Sequence, residues 1–64
     1  MNQGQEYLNE KEVSKLINRA LSSLRNDRFL RRGIPYTKFG RSVRYNKEEV
    51  IRFMENRKIQ TEPI

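Results

Sequence analysis

Two segments near opposite ends of this 64-residue chain follow one pattern, apolar-Asn-x-x-Glu-Val. They are Leu8-Asn9-Glu10-Lys11-Glu12-Val13 and Tyr45-Asn46-Lys47-Glu48-Glu49-Val50. An Asn side chain at a helix start accepts an N–H of the first turn, and a Glu three residues on bonds back to the Asn N–H. The apolar residue before the cap can pack on the one at the fourth helical position. The pattern therefore predicts a helix from Glu10 to about Ile17 and another from Lys47 to about Arg57. Val13, Leu16 and Ile17 form one apolar stripe, and Val50, Phe53 and Met54 repeat it. Arg57 and Lys58 suit the carboxyl end of the last helix.

Between these helices the sequence predicts a third, from Leu21 to about Arg28, with Leu21 and Leu24 facing inward. Its start falls at either Asn18 or Ala20, and Ala is a poor cap. Asn18-Arg19 is a short connection of the kind that joins two crossing helices. Gly33 and Pro35 end helical structure before Tyr36. Residues 36–45, YTKFGRSVRY, read as a β-hairpin turning at Gly40-Arg41-Ser42. Phe39, Val43 and Tyr45 are expected to pack on the helices, because two strands alone are not stable. The expected fold is mainly α with a small β-hairpin, in the order helix, turn, helix, hairpin, helix. That is a winged helix-turn-helix spanning residues 6–58, with flexible tails at 1–5 and 59–64.

The charge is as uneven as the fold pattern is regular. Residues 19–44 hold eight Arg and Lys against one acid, Asp27, a net +7 in a chain whose total is +6. Such a block between near-neutral flanks is an electrostatic footprint, and nucleic acid is the polyanion of matching size. With no cysteine and no histidine, disulfides, thiolate metal sites and the commonest general base are all missing. No catalytic residues, metal site, cofactor or small-molecule substrate suggest themselves. Mean hydropathy is −1.00, and no apolar run is long enough to span a membrane. Met1–Gln5 is polar and unlike a signal peptide. The chain is expected to be soluble and cytoplasmic.

On the middle helix Arg19, Ser22, Ser23, Arg25, Asn26 and Arg28 are the candidate DNA contacts. Arg pairs with guanine, Asn with adenine, and Ser with bases or phosphate. In the linker and hairpin the candidates are Arg31, Arg32, Lys38, Gly40, Arg41, Ser42 and Arg44. A glycine turn keeps a basic tip thin enough for phosphates or a minor groove. Asp27 would repel phosphate if it faced DNA. An ion pair with a neighbouring Arg is the preferred reading, and acceptance from a cytosine amino group is the other.

The runs YLNEKEVSKL, LSSLRNDR, GIPYTKFGRSVRY and NKEEVIRFMENR together resemble the excisionase-type, AlpA-like members of the MerR-like winged helix-turn-helix proteins of phages and mobile elements. The hairpin run is the most specific of the four. The resemblance implies duplex DNA as partner, the helix at Leu21–Arg28 in the major groove, and the hairpin wing on the backbone or minor groove. It implies an architectural role in excision or a role in transcription regulation, beside an integrase or RNA polymerase, with further copies on adjacent sites. Ala20 stands where many relatives have a small polar cap, and Asp27 where many have an inward tryptophan. Two other functions are open to the residues. Tyr36, Phe39 and Tyr45 interleave with cations as in RNA or single-strand binders. A basic face also fits a protein-interaction module such as an anti-repressor.

Overall fold

The computed structural model describes residues 6–61, which form three helices and a three-stranded antiparallel sheet. The expected tail at 1–5 and the end of the expected tail at 59–64 lie outside the described residues. Residues 59–61 carry no regular structure. The elements are β1 (Tyr7–Leu8), α1 (Glu10–Ile17), α2 (Leu21–Phe29), β2 (Thr37–Phe39), β3 (Ser42–Asn46) and α3 (Lys47–Asn56). No helix among the described residues is long and apolar enough to cross a membrane.

Both repeated segments start helices. The first forms the complete reciprocal cap: Glu12 N–H donates to Asn9 Oδ1 at 2.8 Å, and Asn9 N–H donates to Glu12 Oε1 at 2.8 Å. At α3 Glu49 N–H donates to Asn46 Oδ1 at 3.2 Å, the capping half of the box. Asn46 is also the last residue of β3, so one residue serves as strand end and helix cap. The ambiguous start of α2 falls at Ala20, with no side-chain cap. Asn18 instead closes α1, in the left-handed conformation (φ 53°, ψ 46°) that Asn tolerates better than most residues.

The sheet corrects the expectation of a lone two-stranded hairpin. Tyr7–Leu8 pairs with β3 in the register Tyr7 to Asn46 and Leu8 to Tyr45, giving the order β1-β3-β2. Lys47 N–H donates to Glu6 O at 2.8 Å and extends the pairing to the start of α3. This pairing lines up the two repeated segments, so their leading apolar residues, Leu8 and Tyr45, become neighbours in the core. The chain is therefore mixed α and β rather than mainly α with a hairpin.

Leu8, Val13, Leu24, Ile34, Tyr45 and Val50 make the core, with Ile17, Val43 and Phe53 packed against it. The expected core members Leu16, Met54 and Phe39 are exposed instead. For Phe39 the cause is register. A three-residue turn would set Phe39 opposite Val43, on the core side. The turn is two residues, Gly40-Arg41, so Phe39 faces Ser42 and Lys38 faces Val43. A one-residue slip reverses every side chain of a strand. Gly40 has φ 61° and Arg41 does not share the positive φ, the pattern of a type II′ turn with Gly first.

The end of α2 also departs from expectation. Arg31 N–H donates to Arg28 O at 3.0 Å, and Arg32 N–H donates to Asp27 O at 2.9 Å. These are the two bonds of a Schellman closure, and the left-handed residue in it is Arg31 (φ 56°), not Gly33. Gly33, at φ 91°, turns the chain a second time and lies against Asp27, where an added Cβ would meet Asp27 Cβ at 3.0 Å.

Candidate nucleic-acid interface

The exposed side of α2 follows from helical spacing. Leu24 and Asp27 are buried, and Ser22, Arg25, Asn26 and Phe29 share the opposite, solvent side. Ser23 is half-buried. Phe29 is an addition to the expected set. It lies one turn beyond Arg25 and just past the helix end expected near Arg28, and α2 in fact extends through it. It is 82% exposed.

A groove separates α2 from the hairpin. Arg25, Arg28 and Phe29 line one wall, and Tyr36, Lys38, Gly40, Arg41 and Val43 line the other. Around the hairpin a second depression is lined by Lys11, Arg28, Arg41, Ser42 and Arg44, together with Asn9, Glu10 and Val43. Lys38, Arg41, Ser42 and Arg44 are all exposed, as are Arg31 and Arg32. Nothing stands within 4 Å of where a Gly40 Cβ would project, so the tip is bare. The fold thus brings part of the α2 set and most of the hairpin set to one groove.

Several of the cations already have partners. Arg19 Nε donates to Asp27 Oδ2 at 3.0 Å and Nη2 to Oδ1 at 3.2 Å, a two-pronged grip. Arg32 Nε reaches Asp27 Oδ1 at 3.4 Å. Asp27 is 9% exposed. Its ion pairs are those preferred from sequence, and they leave its carboxylate facing α2's own supports rather than the groove. Arg19 sits beside the turn before α2, with its fork committed but half its side chain in solvent.

The second ion-pair group was not legible in the sequence. Glu10, first residue of α1, accepts from Arg25 Nη2 at 2.8 Å and from Arg28 Nη2 at 2.9 Å. Arg28 Nη1 also donates to the Tyr45 hydroxyl at 2.8 Å, and its guanidinium lies 5.8 Å from the Tyr36 ring centroid. The Arg25 hydrogen bond is the main cause that holds the Glu10 carboxyl below its ordinary range; burial opposes it, and Arg28 adds to it. Burial works against the charge on Arg28, but the bonds from Tyr45 and Glu10 outweigh it and raise its pKa. With only 17% of its side chain exposed, Arg28 braces α2 against α1 and β3. Arg25 remains more than half exposed and can exchange Glu10 for another anion. Comparison with protein-family models, with curated proteins and with solved structures finds no match to this chain. The functional reading therefore rests on residues and geometry. Lys38 and Arg41 form no ion pair among the described residues, and Arg44 donates to its neighbour's carbonyl, Val43 O, at 2.8 Å.

Proposed function

We propose that this protein is a small, non-enzymatic, sequence-preferring binder of duplex DNA, of the winged helix-turn-helix type. In this reading α2 enters the major groove, and the β2–β3 hairpin is the wing on the backbone or minor groove. The observation that carries it is the groove between α2 and the hairpin. Arg25 stands on the α2 wall, with Ser22 and Asn26 exposed on the same side of the helix, and the exposed cations Lys38 and Arg41 stand on the other wall. The three-residue connection between α1 and α2, with Arg19 N–H donating to Ser14 O at 3.0 Å, supports a helix-turn-helix crossing. An excisionase-like architectural factor or an AlpA-like regulator is the role such a module fits, beside an integrase or RNA polymerase. One module of this size gains affinity by occupying adjacent sites in several copies.

A gel-shift series on duplexes selected from a random pool tests the reading. Asn26→Ala is expected to relax preference at one base pair by about 1–3 kcal/mol, and Arg41→Ala to weaken binding to every sequence. If both variants bind duplex DNA like the parent at moderate salt, the winged-helix reading is wrong. The exposure of Phe29, Phe39 and Tyr36 favours one other reading, a stacking surface for single strands. Competition between a duplex and its separated strands decides between the two.

A further inference from the structure

Phe39 has no function in the core or in the base-reading face. It is 82% exposed, one residue before the Gly40-Arg41 tip. The two-residue turn fixes that position. It sets Phe39 against Ser42, and places Thr37 and Arg44 on the same outward face. None of these covers an aromatic ring. Beyond Phe39 the tip is unobstructed, with nothing within 4 Å of a Cβ built on Gly40. Exposed Arg44 shares the outward face with Phe39 and exposed Arg41 stands at the tip, while Lys38 is exposed on the opposite face, toward α2.

An apolar ring set among cations is poorly suited to an apolar protein surface, which would have to strip water from the guanidinium groups. It suits a polyanion with an apolar interior, and stacked base pairs behind two phosphate walls are that. Resting on the duplex reading above, we propose that Phe39 is a wedge. It enters the minor groove at a flexible pyrimidine–purine step and partly unstacks it, while Arg41 and Arg44 hold the flanking phosphates. Apolar side chains on minor-groove proteins act in this way, and TA and CA steps yield most readily. Burying the ring is favourable by about as much as the unstacking costs. Removing the ring is therefore expected to change affinity by less than about fivefold while abolishing the distortion.

The probe is a duplex recovered from a random pool by the protein, with 2-aminopurine replacing adenine at each TA or CA step in turn. Unstacking raises the fluorescence of this base. The parent protein is expected to brighten the probe at one step. Phe39→Ala is expected to bind with similar affinity and leave it dark, and Phe39→Leu to restore part of the signal. Because the ring is outside the core, melting curves of the variants should overlay the parent's, which separates a wedge from a structural role. Duplex binding with no brightening at any step overturns the wedge and leaves the DNA reading standing. So does brightening that survives Phe39→Ala. A Phe39→Ala change in self-association by sedimentation, with no brightening, assigns the ring to contacts between copies and also overturns the wedge. Failure to bind any duplex removes both.

Discussion

Arg31 occupies the left-handed position that closes α2, where glycine ordinarily stands. A side chain with a Cβ costs roughly 1–2 kcal/mol in that conformation. An arginine kept there is a candidate for work that glycine cannot do, such as gripping a phosphate. Arg31→Gly is expected to stabilise the fold by about 0.5–1 kcal/mol and to raise Tm by a few degrees, while weakening duplex binding. Thermal melts and a salt-matched gel shift check the two opposite signs. At this scale the sequence was partly readable. An acid alone in a basic block announced the Asp27 ion pairs. The outward turn of Phe39 was hidden, because turn length decides the face and Gly-Arg-Ser accommodates a two-residue or a three-residue turn. The engagement of Arg25 and Arg28 was hidden for another reason. Glu10 is 15 and 18 residues away, and only tertiary packing brings it near.

Glu10 joins three elements: it opens α1, holds two arginines of α2, and through Arg28 reaches Tyr45 on β3. Its carboxyl is depressed below 4.5 in the folded chain, first by the Arg25 hydrogen bond. A depressed carboxylate adds stability that is complete above the unfolded value and is lost as pH falls through the folded one. The Tm difference between the parent and Glu10→Gln is therefore expected to be widest near neutral pH and to narrow as pH drops below 4.5. Melting curves of both proteins across that range check it, and the paired comparison cancels the other carboxylates. Among the elements, α1 and α3 were legible from their caps, which are local chemistry, and α2 from its length and apolar spacing. β1 was not, since two residues carry no periodicity. Its strand character comes from β3, a partner far away in sequence.

Taken whole, the molecule concentrates its charge on α2, the linker and the hairpin, with Asp27 and Glu10 drawing some of it inward. If Arg25, Arg31, Lys38, Arg41 and Arg44 each displace one counterion, log affinity for duplex DNA falls against log salt with a slope of about −4 to −5. Titrations at several salt concentrations are expected to give that slope, and Arg41→Ala to flatten it by about one. The pairing of Leu8 with Tyr45 has a consequence for how the protein comes into being. Contacts that span most of a chain are slow to form, because the loop between them must close first. On the ribosome the strand at Tyr7–Leu8 waits for its mate until Tyr45 and Asn46 have been synthesised. Until then Leu8 and Val13 have no completed interior to enter, so the domain gains its structure only once β3 has been made.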